Sequence, residues 1–294
     1  MSFIKPVPHH WKPADFSFHG SALREPVLHI SKTVCLLESR CDDYAEYLRA
    51  IFLERDREWN DAIDQWNSEE CQHGELLRSQ CEASDPAFRF ESLMSQYKSL
   101  VSYHAATGRS ARGTVGAELV CRCVVEALAS TLYRVLADAT SDCNSRRVFS
   151  ALAQDEARHF GMFLKMLNAE AASAGKLGFF ARCAHAIRRM RELEDGQIMV
   201  ASYVVAERTA TPVRLKAEAN WYLLRLYGLY RWKHLRYAAR MLLRTVHIRP
   251  NRPLAGLCAS LLWTGLKLRW LWARTMTPRL PARLRPVVAR EGLL

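Results

Sequence analysis

Residues 66–77 read WNSEECQHGELL and place a glutamate and a histidine three positions apart, in a segment whose apolar residues have helical spacing. Residues three apart lie on one face of a helix, so Glu70 and His73 can direct a carboxylate and an imidazole at the same point. A single pair of this kind arises often by chance. It becomes evidence for a metal site only if other segments supply matching ligands.

A second pair with the same spacing lies in residues 152–163, LAQDEARHFGMF, where Glu156 precedes His159 by three positions. An isolated glutamate precedes each pair. Glu38 lies 32 residues before the first pair, and Glu126 lies 30 residues before the second. At about 1.5 Å of rise per residue, two helices joined by a short turn return the chain to its starting level over such a span. The predicted metal ligands are Glu38, Glu70, His73, Glu126, Glu156 and His159.

Three other glutamates compete for the two isolated positions. Glu46 and Glu54 compete for the first, and Glu118 competes for the third helix. Glu46 would give a gap of 24 residues and Glu118 a gap of 38, so both break the symmetry of the two halves. Glu126 is also favoured by its apolar surroundings, CVVEALASTLY, because an ionised glutamate is rarely buried without a partner.

The set of donor atoms favours iron or manganese over zinc. Four carboxylates and two imidazoles exceed the four ligands that zinc usually takes. Two divalent cations would also balance the charge of four carboxylates. Histidine ligands need partners for their second ring nitrogens, and Glu69 and Asp155, which each precede a ligand glutamate, are the predicted partners.

The spacing of apolar residues predicts an all-α fold. No alternating strand pattern and no internal repeat is found, and helix-forming residues dominate the middle of the chain. Four long helices with modest connections are typical of an antiparallel four-helix bundle, here followed by additional C-terminal helices. Ser31 is the predicted N-cap of the first helix. The predicted helices cover residues 31–52, 56–82, 88–105, 114–138, 144–171 and 179–209.

The 294-residue chain is 49% hydrophobic. Its charge is unevenly distributed between a nearly neutral body and a basic C-terminal third. Residues 214–294 contain 17 Lys and Arg but two acidic residues, a net charge of +15, whereas the preceding residues carry a net charge of −3. The predicted parts are a loosely packed N-terminal lead-in (1–30), which contains His9, His10 and His19, a helical bundle (31–210), and a basic, aromatic-rich C-terminal extension (211–294).

Cysteine usage and the N-terminus predict a cytoplasmic protein. The nine cysteines are odd in number and include no CxxC pair, which favours a reducing compartment. The first 20 residues lack the long apolar core of a signal peptide. Residues 254–273 have the length of a bilayer span but contain Lys267 and Arg269, so they predict either an interfacial amphipathic helix or a helix packed on the bundle.

The basic extension predicts an anionic partner. Aromatic residues alternate with Lys and Arg over residues 214–274, which suits peripheral contact with an anionic membrane surface or docking of an acidic protein. The same composition permits nucleic-acid binding, but no recognised motif supports it.

The paired motifs resemble those of soluble acyl-acyl-carrier-protein desaturases in the ferritin-like superfamily. That family has two tryptophans seven residues apart, W-x-x-E-E-x-x-H-G-[DE]-L-L on its second core helix, and D-E-x-R-H on its fourth. The resemblance covers roughly residues 30–170. It departs at Ala129, where the family has threonine, and in the C-terminal third. The matching residues are Trp59, Trp66, Glu69, Glu70, His73, Gly74, Glu75, Leu76, Leu77, Asp155, Glu156, Arg158 and His159.

The resemblance implies a ferritin-like four-helix bundle with a di-iron centre held by the six predicted ligands. It further implies two iron ions, dioxygen as co-substrate, an external electron donor such as a ferredoxin, and a homodimer. Trp66 and Asp155 resemble residues beside the metals on the electron route. The implied reaction is desaturation or hydroxylation of a fatty-acyl chain, with acyl carrier protein as the acidic partner.

Three further functions remain open at this stage. The same centre would oxidise a non-lipid substrate, such as an aryl amine or an aldehyde. A non-catalytic, ferritin-like metal-binding protein would use the same ligands, although rubredoxin-like cysteine pairs are absent from the sequence. Finally, a structural body would carry the basic extension as a membrane or nucleic-acid module.

Overall fold

A computed structural model describes residues 9–18, 23–55, 57–101, 108–173, 177–206 and 212–276. These residues are mostly helical, with a short 3-10 turn at Pro13–Asp15 and no β-strand among them, which confirms the all-α prediction for this part of the chain. The helices are α1 Val27–Glu38, α2 Cys41–Phe52, α3 Arg57–Ser84, α4 Phe90–Leu100, α5 Val115–Ala139, α6 Cys143–Ser173, α7 Phe179–Asp195, α8 Gln197–Val205, α9 Pro212–Leu229, α10 Trp232–Thr245 and α11 Arg252–Met276.

Helices α3, α5 and α6 lie within two residues of their predicted boundaries. Helix α4 ends at Leu100, earlier than predicted, and residues 102–105 of that prediction lie outside the described residues. The prediction of one helix over 179–209 is wrong, because Gly196 separates α7 from α8. Residues 207–209 of that prediction, like residues 277–294 of the extension, lie outside the described part of the chain.

The single helix predicted over 31–52 is also wrong, because the chain leaves helical geometry directly after Glu38. The backbone N–H and the side-chain hydroxyl of Ser39 both donate to the Cys35 carbonyl, at 3.1 and 2.8 Å, and close the last turn of α1. Helix α1 begins at Val27, so Ser31 is a buried residue within it and not an N-cap. The break allows α2 to take a different course from α1.

Two apolar clusters bracket the middle of the long helices. Helices α3 and α5 run from the second cluster to the first, and α6 runs from the first to the second, so α6 is antiparallel to both. The first cluster includes Leu76, Leu77, Tyr133, Leu136, Phe149 and Leu152, and the second includes Ile63, Trp66, Val120, Val124, Phe160 and Phe163. On α3 and α6 the predicted ligands occupy the layer between the two clusters.

Helices α1, α3, α5 and α6 pack around this layer. Helix α5 packs on α6, α3 packs on α1 and α6, and the Tyr133 hydroxyl on α5 donates to the carboxylate of Glu38 on α1. The end of α1 approaches α3 closely at Gly74, where an added Cβ would lie 2.9 Å from the Ser39 hydroxyl and 3.2 Å from its Cα. Glycine at this position therefore lets Glu38 reach the ligands on α3.

The described part of the C-terminal extension packs on these helices. Helix α10 lies against α5, with Tyr237 and Ser130 hydroxyl oxygens 2.9 Å apart and His234 Nε2 2.7 Å from the Asp138 carboxylate. Helix α11 packs on α9 and α10. Within the residues that the structure describes, a helix with the length and apolarity for crossing a bilayer is not found.

Candidate metal centre

The structure brings all six predicted ligand side chains together between the two apolar clusters. They form two groups of four, and in each group one ligand atom from every residue lies within 4.8 Å of the others. Glu70 and Glu156 belong to both groups, so each of them could contribute an oxygen ligand to either of two adjacent cations. The groups are Glu38, Glu70, His73 and Glu156, and Glu70, Glu126, Glu156 and His159.

Helix geometry explains why the two motifs converge. Each Glu-His pair spans one turn in the middle of a long helix, so both side chains leave the same face. Because α3 and α6 are antiparallel and packed together, the two pairs meet at one level, and the two imidazole rings stack with centroids 5.6 Å apart. Glu126 is buried within α5, while Glu38 is the last residue of α1 and is half-buried.

Both histidines direct Nδ1 at the carboxylates. His73 Nδ1 lies 3.2 Å from Glu156 Oε1, and His159 Nδ1 lies 2.9 Å from Glu70 Oε1. The two Nδ1 atoms and Glu156 Oε1 are nevertheless buried without a well-directed hydrogen bond from any described residue. Buried polar atoms are usually satisfied, so a group of orphaned donor atoms at one point fits a cation between them.

The opposite ring nitrogens are held by the two residues predicted for that role. Asp155 on α6 lies 3.3 Å from Nε2 of His73 on α3, and Glu69 on α3 lies 2.8 Å from Nε2 of His159 on α6. Arg158 contacts both of these carboxylates, at 3.1 Å from Glu69 and 2.5 Å from Asp155. This reciprocal arrangement fixes each ring so that its Nδ1 faces the centre.

The glutamates divide into two electrostatic types. Burial raises the pKa of Glu126 well above its usual value, and the charges of Glu156 and Glu70 raise it further. Burial and the same two charges raise the pKa of Glu38. Burial also opposes ionisation of Glu70 and Glu156, but contacts with the two histidines outweigh it and lower the pKa of both.

The surroundings of both histidines favour the charged form of the ring. Burial acts to lower the pKa of each ring, but the carboxylates around His73 and His159 outweigh it and raise both pKa values well above the usual one. Two divalent cations would balance the charge of the four carboxylates when all of these are ionised, so the donor set fits two such ions.

The competing glutamates lie elsewhere. Glu118 is buried but accepts hydrogen bonds from Tyr47 and Ser110, both at 2.8 Å, and belongs to neither group of ligands. Glu46 and Glu54 are exposed. Trp66, predicted to lie beside the metals, packs edge-on against the His159 ring with centroids 6.5 Å apart.

Two residues at the centre, Tyr133 and Arg122, were not predicted from the sequence. Tyr133 donates to Glu38 and is fully buried, and Arg122 is buried one turn before Glu126. Tyr133 lies seven residues after Glu126, on the same face of α5, so helical spacing from that ligand is the signal that could have found it. Arg122 lies over the Tyr44 ring, an arrangement that no sequence pattern indicated.

The prediction of a loosely packed lead-in is wrong for residues 9–18. His9 lies 3.1 Å from the Asp155 carboxylate and 3.1 Å from Gln72 Oε1, and its ring stacks on Trp11. Trp11 in turn stacks on His73, with centroids 5.9 Å apart. This segment covers the outer side of the ligand layer. Helical periodicity could not predict these contacts, because they form only when the chain is folded. His19 lies outside the described residues.

A cavity of about 680 Å³ adjoins the centre, and apolar surface dominates its walls. Glu38, Glu70, Glu126 and Glu156 lie in its wall. Helices α1, α2, α5 and α7 to α11 contribute the remaining walls, so the basic extension helps to enclose the cavity. An apolar cavity that ends on a cluster of carboxylates suits an apolar substrate held against bound cations.

Comparisons with protein-family models and with curated proteins find no match for this chain. The resemblance to desaturases therefore depends on the two short motifs, and the functional argument depends on the geometry.

Proposed function

We propose that the chain is a non-haem di-iron oxidoreductase of ferritin-like architecture that uses dioxygen to oxidise a lipid-like, fatty-acyl chain. The observation that carries the proposal is the pair of four-residue ligand groups, which share Glu70 and Glu156 and line an apolar cavity. Glutamates from two helices and a Glu-x-x-His pair from each of two others match the ligand pattern of di-iron bundle proteins.

Two bound irons would supply the reduction of dioxygen and the oxidation of an unactivated C–H bond, by desaturation or hydroxylation. The protein's own residues hold that pair and shape its surroundings. Asp155 and Glu69 orient the histidine ligands, and Tyr133 holds Glu38 through a hydrogen bond. The apolar clusters on both sides exclude water from the ligand layer.

The cavity supports an enzyme over a storage protein. Its volume falls within the range of small-molecule sites, and its walls include aliphatic residues such as Leu128, Leu132 and Met199. Such a space suits an alkyl chain lying beside the ligand layer, whereas iron storage requires no apolar pocket. An external donor such as a ferredoxin, a homodimer and a cytoplasmic location belong to the proposal through the resemblance alone.

Glu156→Ala tests the proposal directly. This change should abolish iron loading and turnover of acyl substrates while leaving helicity nearly intact, because Glu156 belongs to both ligand groups. Iron per chain, circular dichroism and product mass are measured together. Glu75→Ala provides the matched control, since Glu75 is an exposed residue on the same helix as Glu70. Full iron content and activity in Glu156→Ala would remove the mechanism.

A second candidate is oxidation of an aromatic substrate by the same centre. Six tyrosines in the cavity wall favour it because aromatic rings pack well on one another: Tyr44, Tyr47, Tyr133, Tyr222, Tyr227 and Tyr230. Incubating the reduced, iron-loaded protein with acyl thioesters and with aryl amines separates the two candidates by product mass. More than a few irons per chain after aerobic loading would instead indicate a ferritin-like storage protein.

A further inference from the structure

Helix α11 carries a stripe of exposed leucines. Leu257, Leu261, Leu268 and Leu271 are separated by four, seven and three positions, so they lie on one face of the helix. Their side chains are between 50% and 67% exposed. Four large apolar side chains exposed on one helix face, interrupted by Thr264, favour an interaction site over isolated surface leucines.

The opposite face of α11 supplies its packing. Ala255, Ala259 and Ala273 are buried on that face, and the helix packs against α9 and α10. Small residues allow the close approach, so α11 is held without using its leucine stripe. The stripe is therefore available to a partner outside the described fold.

Basic and aromatic residues flank the stripe. Lys267 lies 4.7 Å from the centre of the Trp263 ring, Arg269 lies 4.4 Å from that of Trp272, and Arg274 packs on Trp270. Leucines on one face with Trp, Lys and Arg beside them are the signature of a helix that lies in a membrane interface. The net charge of +15 over residues 214–294 favours an anionic surface.

The stripe is continuous with the cavity. Leu261 is 67% exposed and also lines the cavity, together with Gly265 and Leu266 of the same helix. The cavity therefore reaches the protein surface beside the leucines, while Glu126 and Glu156 lie in its inner wall.

We infer that α11 docks on an anionic lipid bilayer and that an acyl chain passes from the bilayer into the cavity beside Leu261. The identity of the chain as substrate rests on the proposed function, whereas docking and uptake do not. An acidic carrier protein would satisfy the charge but would leave the leucine stripe against water or polar surface. A bilayer satisfies both the charge and the apolar face.

Vesicle sedimentation tests the docking step. The full chain should bind phosphatidylcholine vesicles that contain phosphatidylglycerol, bind pure phosphatidylcholine vesicles weakly, and lose affinity as salt is raised. Leu268→Glu/Leu271→Glu should reduce binding at least tenfold, because burial of even one leucine in an apolar contact is worth about tenfold in affinity or more. Leu53→Glu is the control, because Leu53 is 76% exposed and lies between α2 and α3.

Three outcomes would overturn docking. The first is failure of the wild-type chain to bind anionic vesicles. The second is equal binding by the double variant and Leu53→Glu. The third is tight binding of acyl carrier protein with no binding to vesicles. Circular dichroism of each variant confirms that the fold is retained.

Uptake is tested with the iron-free protein and the fluorescent fatty acid cis-parinaric acid. At Gly265 an added Cβ meets nothing within 4 Å, so Gly265→Phe introduces a ring at the cavity mouth without backbone strain. It should weaken fatty-acid binding about tenfold or more while vesicle binding persists. Gly256→Phe is the control, because Gly256 is equally open and does not line the cavity.

Equal fatty-acid binding by the two glycine variants would overturn entry beside Leu261. Neither assay requires iron, so a loss of iron-dependent turnover in Glu156→Ala leaves docking and uptake intact. Conversely, failure of docking leaves the di-iron proposal standing.

Discussion

Apolar side chains are usually buried and charged ones exposed, but the ligand layer and helix α11 show the opposite. The ligand layer buries charged groups, and helix α11 exposes apolar ones. At the centre, four carboxylates and two imidazoles are packed between apolar clusters, where charged groups are rarely found without partners. On α11, leucines face the solvent from a helix whose buried side is alanine. Each exception fits one of the proposed ligands: cations at the centre and a lipid surface at α11.

The two exceptions require different things of the sequence. The centre needs particular residue types at fixed spacing, because metal ligands must meet within a few ångströms. The α11 stripe needs only apolar character on one face and basic residues beside it. Substitutions should therefore have all-or-none effects at the centre and graded effects on α11.

The largest effect is expected for Glu70→Ala. Glu70 belongs to both ligand groups, whereas Glu38 belongs to one, so Glu70→Ala should lose both cations and Glu38→Ala mainly one. Elemental analysis after anaerobic iron loading gives the number of irons per chain. Equal iron content in the two variants would mean that Glu70 is not shared between two cations.

Metal affinity should rise steeply with pH. Glu38, Glu126 and both histidines have raised pKa values in the cation-free cluster, so a cation must displace protons that these groups bind more tightly than usual. Each displaced proton gives about a tenfold gain in affinity per pH unit. Calorimetric titrations with Mn²⁺ in buffers of different ionisation enthalpy count the protons. An affinity independent of pH would contradict this account of the centre, whereas vesicle docking should change little over the same range.

A smaller effect is expected for Asp155→Asn. The amide retains the shape of the side chain but lacks the charge that orients His73, so metal affinity should fall by ~10- to 100-fold. Competition with a chelator measures the change. Asp61→Asn, at an exposed position on α3, should leave the affinity unchanged.

The smallest effect is expected for an exposed leucine of α11, which we compare with a buried leucine of the first apolar cluster. Leu268→Ala should change the free energy of unfolding by no more than about 0.5 kcal/mol, because its side chain is exposed. Leu76→Ala should cost about 2–5 kcal/mol, because Leu76 is fully buried in the first apolar cluster. Urea denaturation of the two variants compares them. A large loss in Leu268→Ala would mean that the stripe stabilises the fold itself.

The long helices were predictable because apolar spacing over 25 or more residues leaves little ambiguity, as α5 and α6 show. The breaks at Ser39 and Gly196 were not, since apolar spacing continues across both. The convergence of the two Glu-His pairs followed from spacing and antiparallel packing. Their roles as iron ligands stay predictions.

The contacts of His9 and Trp11 could not have been inferred, because they join a short non-helical segment to residues more than 60 positions away. Arg122 shows a different limit. Its burial depends on the aromatic rings of Tyr44 and Trp66, which come from other helices. The cavity likewise depends on α9, α10 and α11, which help to enclose it. No local sequence pattern predicts a cavity.

The break after Glu38 sets this carboxylate apart from the other five predicted ligands. Glu38 is the last residue of α1, whereas the others lie within continuous helices. Its position therefore depends on contacts from neighbouring helices: the Tyr133 hydroxyl on α5 and the close approach of Ser39 to Gly74 on α3. A side chain larger than glycine at position 74 would displace this carboxylate.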